Sequence, residues 1–235
     1  MGEGIVNKRT LTAVFCWLSV FTVPAGASTE VGDRVVSSAI VLKEVSNIPE
    51  NGIPQDLLDK CSCVAVIPSM KKAGFIAAGN YGKGVISCRL NNGTGSWSPP
   101  SMIMIGGGSF GLQLGVQSTD LILVIMNLSG LESLLSSKFT LGGDASVAAG
   151  PVGRTATAET DAFFSAKILA YSRSRWLFAG ISLKGGVVRP DQDAIQVLYG
   201  KAIPPRTILF EGVPDVPKDA KIFMDELSRI SPKKK

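Results

Sequence analysis

The run CVAVIPSMKKAGFIAAGNYGKGVISCRLNNG, residues 63–93, decides the fold class. It opens on Val64-Ala65-Val66-Ile67, a short apolar and largely β-branched stretch. Such a stretch reads as a buried strand, and Pro68, which has no N–H to give a ladder, ends it. Residues 74–79 and 84–90 repeat the pattern, and Asn92-Gly93 is a turn signal of the kind that separates paired strands. Downstream, residues 102–105, 112–116 and 121–126 continue the series. The last is apolar throughout, as a strand covered on both faces would be. Residues 163–171 and 177–183 read as two more strands, with a short helix over 131–135.

Helical signals flank this β region. Upstream, Val31, Val35, Ala39 and Leu42 recur at helical spacing, with Val36 and Ile40 beside them. Asp33, Arg34, Ser37 and Glu44 fall away from that face, so 31–45 is an amphipathic helix. Its ordinary role is packing on the core. A membrane-surface role is less favoured, because its polar face is not rich in lysine or arginine. A turn-rich break from Pro49 to Pro54 precedes a short helix at 55–60. Downstream, 191–198 is a helix that Gly200 ends, with Asp191 and Asp193 at its start as capping residues. After Pro204-Pro205 a last helix covers 218–230, with Ile222, Phe223, Leu227 and Ile230 on one face. Helices around turn-separated strands predict a single α+β domain: a largely antiparallel β-sheet or barrel flanked by N-terminal and C-terminal helices.

The 235 residues carry a formal charge of +5, with 45% hydrophobic and 18% charged side chains. That supports a real core and favours anionic partners. Lys8 and Arg9 precede an apolar run at 11–23, too short to span a bilayer, and Ala25-Gly26-Ala27 has the form of a cleavage site. Residues 1–27 are therefore expected to be a secretory signal peptide, 28–230 the domain, and 231–235 a basic tail. Cys61, Cys63 and Cys88 follow the signal. Two of them can pair, and Cys61 and Cys63 share one face if their segment is a strand. Burial accounts for them better than metal binding does, and no metal or cofactor is expected.

The chain has no histidine. That removes Ser-His-Asp and Cys-His catalysis and histidine-held zinc. Gly106–Gly111, GGGSFG, matches a dinucleotide fingerprint, with Glu132 at the expected distance. The fingerprint requires a helix next, whereas Leu112-Gln113-Leu114-Gly115-Val116-Gln117 alternates like a strand. A glycine-rich strand under a close neighbour is the better reading. No pair of carboxylates, Asp144 and Asp161 included, has a catalytic spacing, and the chain reads as a non-enzyme.

The basic residues carry more. Arg154, Arg173, Arg175 and Lys184 cluster in sequence. Arg173 and Arg175 project to one face on a strand, and Trp176 beside them suits a membrane interface. Lys71 and Lys72 form a second basic group. These seven are the candidate lipid-binding residues, with an anionic lipid or membrane surface as partner and another envelope protein as the alternative. Nucleic acid fits poorly, for the chain has few aromatic residues to stack on bases.

Four segments carry a family resemblance: VAVIPSMKKAGFIAAGNYGKGV (64–85), WSPPSMIMIGGGSFGLQLGVQSTDLILVIMN (97–127), LGGDASVAAGPVGR (141–154) and YSRSRWLFAGISLKG (171–185). In order and spacing they resemble the SYLF-domain family, which includes yeast actin-patch regulators and a human SH3-containing protein. Trp176 departs from the family pattern, which has glycine there. The resemblance implies membrane binding, to phosphoinositides in eukaryotic members, and actin binding in some. Its lipid contacts would map to the helix at 31–45 and to Lys71, Lys72, Arg173 and Arg175. It also implies an exported bacterial envelope protein, periplasmic or membrane-associated, a setting in which actin is not expected.

Overall fold

A computed structural model describes residues 25–48, 52–74, 77–110, 115–127, 135, 139–141, 146–153, 166–174, 177–181, 183, 185–213 and 215–232. Among the described residues nine strands form one sheet: β1 (Cys63–Gly74), β2 (Ala77–Cys88), β3 (Ser101–Phe110), β4 (Gly115–Ile125), β5 (Phe139–Thr140), β6 (Val147–Ala149), β7 (Ile168–Ser174), β8 (Leu177–Gly180) and β9 (Val187–Pro190). Their order is β5-β9-β3-β2-β1-β4-β7-β6, with β8 also paired to β7. Every pairing is antiparallel except that of β6 with β7. The helices are α1 (Ala25–Ser46), α2 (Gln55–Lys60), the single turn α3 (Leu90–Gly93), α4 (Gln192–Tyr199) and α5 (Lys218–Ile230), with a π-turn at Thr207–Glu211. The expected α+β domain is therefore the observed one.

The sheet is curled, and chain length requires it. Laid flat, the path from β5 to β6 would be about 34 Å wide at the usual strand spacing. The seven-residue step from Thr140 to Val147 reaches at most about 24 Å. The two edges must approach, which bends the sheet into a half-barrel.

Alternation along the strands builds two core layers. Val64, Val66, Val85, Met102, Ile122, Val124, Leu169 and Tyr171 face the helices and pack with Val35, Leu42, Leu57, Phe223 and Leu227. Cys63, Ala65, Ile67, Ile86, Ile103, Ile105, Leu121, Leu123 and Ile125 fill the concave side with Leu141, Val188 and Leu209. This two-sided burial is why 121–125 reads as a continuous apolar run. Cys63 and Cys88, cross-strand partners of β1 and β2, form a disulfide.

Several expectations are corrected. Pro68 does not end β1. The register shifts between Val66 and Lys71, and Pro68 and Ser69 form a bulge, where a missing N–H costs no ladder bond. Ser69 takes φ 50° there, and its N–H donates to Asp120 Oδ1 at 2.9 Å. Residues 77–88 are one strand, so the separate segments at 74–79 and 84–90 merge. Cys61 precedes β1 and is buried in the helix-side layer, so it does not share a face with Cys63. Arg34 is buried rather than turned away, whereas Ile222 is 43% exposed. The strand expected at 177–183 ends at Gly180, and Ile168–Ser174 replaces 163–171, of which 163–165 lie outside the described residues. Residues 111–114 and 131–134 lie outside them too.

Other expectations hold. Asp191 caps α4, accepting from Ala194 N–H at 3.3 Å, and Gly200 ends it at φ 70°. Residues 106–110 of the glycine motif lie in β3 rather than in a loop leading to a helix. A Cβ at Gly107 would sit 2.8 Å from the Gly185 carbonyl, so glycine is required there by close backbone approach.

A buried phenol and a half-buried one make alkaline stability diagnostic. Burial pushes the Tyr171 and Tyr199 hydroxyls well above the ordinary tyrosine range. Tyr171 stacks on Phe178 with ring centroids 5.4 Å apart, and Tyr199 Oη donates to the Pro100 carbonyl at 2.6 Å. Above the unfolded value of 10.0 the unfolded chain loses these protons while the folded chain keeps them. Each phenol then lowers stability by about 1.4 kcal/mol per pH unit. Urea titrations from neutral pH to pH about 11 are expected to show this slope, and Tyr199→Phe to remove its share.

Candidate functional site

The helices cover only part of the sheet's outer face. α1 packs on β1 and β2 and against α4 and α5, and its apolar stripe of Val31, Val35, Ala39, Leu42 and Val45 is buried. Among its ion pairs, two tie it to the start of α4 and to β7. Arg34 Nη1 donates to Asp191 Oδ2 at 3.0 Å with both groups buried. Near its other end Glu44 accepts from Arg173 Nη1.

Arg173 lies on β7 directly opposite Asp120 of β4. Its Nε and Nη2 donate to Asp120 Oδ2 at 2.9 and 2.7 Å, and its Nη1 reaches Glu44. Burial lowers the guanidinium's pKa, but the two carboxylates outweigh it and hold the pKa above the ordinary value. This predicted lipid ligand thus has its charge matched twice inside the fold. Asp120 is shared with the Ser69 bulge, so the same carboxylate fixes the strand irregularity and the arginine.

Lys71 is placed differently. Just past the bulge it stands exposed on β1, with Tyr81 of β2 and Ser118 of β4 as its cross-strand partners. Cross-strand partners share a face. Tyr81 is 52% exposed, so these three residues form an open row. The backbone of Lys72 pairs with Asn80 and Gln117. Arg154, Arg175, Trp176 and Lys184 lie outside the described residues, as do Asp144 and Asp161. Tyr81 was missed from sequence; its signal was the alternation Tyr81-x-Lys83-x-Val85 along one strand.

Among the described residues no three His, Cys, Asp or Glu side chains group as a metal site, and no helix is long and apolar enough to cross a membrane. The arrangement supplies exposed donors and an amphipathic ring on one open face, which is binding chemistry.

Comparison with known proteins agrees. The family described as Las17-binding protein actin regulator, Ysc84, matches residues 106–230. The chain is 38% identical over 160 residues to LAS seventeen-binding protein 3 of Saccharomyces cerevisiae (strain ATCC 204508 / S288c), covering 67% of this chain and 34% of that protein. It is 33% identical over 202 residues to SH3 domain-containing YSC84-like protein 1 of Rattus norvegicus, covering 83% of this chain and 58% of the relative. The human protein of that name is 32% identical over 183 residues, at 75% and 53% coverage. The chain thus spans about a third to three-fifths of these relatives. The family is described as a binding protein and regulator, and the yeast relative as a binding protein. The chain belongs to the Ysc84 family, the SYLF-domain family that its four sequence segments resemble.

Proposed function

We propose that the protein is an exported, non-enzymatic module that docks on anionic lipid or membrane surfaces of the bacterial envelope. The observation that carries this reading is the uncovered end of the sheet's outer face, where Lys71 and Tyr81 stand exposed side by side. A cation near an anionic leaflet contributes about 1 kcal/mol, and a tyrosine suits the boundary between headgroup and acyl chain. The family's description as a regulator that binds a protein supports the alternative, a protein-interaction module.

Co-flotation with vesicles tests it. Residues 28–235 contain the whole sheet and both core layers. This segment is expected to float with vesicles of phosphatidylglycerol and phosphatidylcholine and not with phosphatidylcholine alone. Raising salt is expected to weaken the binding, because exposed charges are screened. No flotation with either vesicle would overturn the lipid reading and favour a protein partner. Salt-insensitive binding to both would transfer the role to apolar surface.

A further inference from the structure

We infer that the membrane-facing surface is a basic ledge formed by Lys71, Tyr81, Lys83, Met104 and Arg189 across β1, β2, β3 and β9, rather than the Arg173 end of the sheet. This rests on the lipid reading and assigns it a place. Lys83 of β2 lies opposite Met104 of β3, and Met104 lies opposite Arg189 of β9. Lys83 is two residues from Tyr81, which lies opposite Lys71, so all five side chains share the outer pleat.

Packing contacts agree with that assignment. Val85 and Met102, next along the same pleat, are buried in the helix-side layer. Lys83 Nζ reaches Glu30 of α1 at 3.8 Å, which puts the ledge beside the first turns of that helix. Arg189 is exposed, its Nε donating to Met104 Sδ at 3.0 Å. Between the two rows, Gly106 lies opposite both Tyr81 and Val187. A Cβ there would meet nothing nearer than the Asn80 carbonyl at 3.9 Å, so the floor is open.

Charge and shape select the partner. Of the three cations only Lys83 has an ion pair among the described residues, with Glu30, which is itself exposed and also accepts from Arg34 at 3.3 Å. From β1 to β9 is three strand steps, about 15 Å. Cations spread that widely across the sheet do not converge on one phosphate. They match several headgroups of an anionic bilayer, with Tyr81 as the amphipathic anchor. Arg173 is excluded from this role because Asp120 and Glu44 hold its donors.

The test compares two triple variants that remove the same charge. Lys71→Gln/Lys83→Gln/Arg189→Gln strips the ledge. Lys201→Gln/Lys218→Gln/Lys221→Gln strips three exposed lysines elsewhere. Partitioning of residues 28–235 is measured on vesicles of equal parts phosphatidylglycerol and phosphatidylcholine. The ledge triple is expected to lose about a hundredfold, and the control less than about threefold. Arg189→Gln alone is expected to lose about fivefold, which keeps the test valid should the triple fail to fold. Equal loss in both triples, or wild-type partitioning by the ledge triple, would overturn the ledge while leaving lipid binding intact. A wild-type chain that does not partition overturns the lipid reading and the ledge together.

Discussion

Arg89→Ala is expected to destabilise the protein by about 4 kcal/mol, measured as a lower urea midpoint with an unchanged slope. Arg89 directly follows β2 and is 2% exposed. Its guanidinium lies 4.5 Å over the Trp97 ring, and its Nη2 donates to the Ser231 carbonyl at 3.0 Å and to Ser231 Oγ at 2.5 Å. Trp97 Nε1 donates to the same carbonyl at 3.0 Å, and Gln55 Nε2 to the Ile230 carbonyl at 2.8 Å. These are carbonyls that the end of α5 cannot satisfy within the helix. A cation there also complements the helix dipole. Ser231 Oγ in turn donates to the Leu58 carbonyl of α2 at 2.8 Å. One side chain therefore joins the sheet, α2 and α5. Burial lowers the Arg89 pKa, with Cys61 and Asp59 opposing the shift. Arg89→Lys keeps the charge and loses the fork, so about half the cost is expected. An unchanged midpoint for Arg89→Ala would remove this clasp from the account of stability.

Gly84→Ala is expected to cost about 4 kcal/mol or to prevent folding. A Cβ at Gly84 would lie 2.2 Å from the Val66 carbonyl oxygen and 2.8 Å from Ile67 Cα. Both are backbone atoms of the central strand β1, so no rotamer change relieves the clash, and the cost exceeds the usual range for overpacking. Gly82 tests this reasoning. Its added Cβ would meet Ile67 Cγ2 at 2.5 Å and Met70 side-chain atoms at 3.1 Å. Those are side chains that can shift, so about 2 kcal/mol is expected. Gly106→Ala, on the open floor of the ledge, is expected within about 0.5 kcal/mol of wild type. Thermal and urea unfolding of the three variants measures the order. Equal effects would refute the close passage of β1 over β2 at the bulge.

Local chemistry made much of this fold legible. Lys218–Ile230 follows from helical spacing, the capping of α4 from an aspartate after a proline, and the rejected nucleotide motif from the alternation that follows it. Asn91, Asn92 and Gly93, residues that tolerate positive φ, all adopt it at the expected turn. Pro68 misled because its effect depends on the neighbouring strand: proline ends a regular ladder but fits a bulge, and the Asp120 that serves the bulge is 51 residues from Ser69. Strands β5, β6 and β9, with two to four residues each, are too short to show a period.

The candidate site divides in the same way. Basic residues and a family pattern are visible in the chain, and they single out Lys71 and Arg173 equally. Only the pairing of strands separates them. It sets Lys71 beside Tyr81 in the open, and Arg173 opposite Asp120 and under Glu44. Arg89 and Trp97 carry no sequence signal, because their partner, Ser231, is more than a hundred residues away.

The sequence by itself determined the α+β class, the long apolar strand at 121–125, the flanking helices and the family. These depend on periodicity and on residue chemistry within a few neighbours. Tertiary structure alone decided which cysteines pair, which arginines are spent inside the fold, and which cations share a face. Those outcomes depend on register between distant strands, where a one-residue slip would exchange every inward and outward side chain.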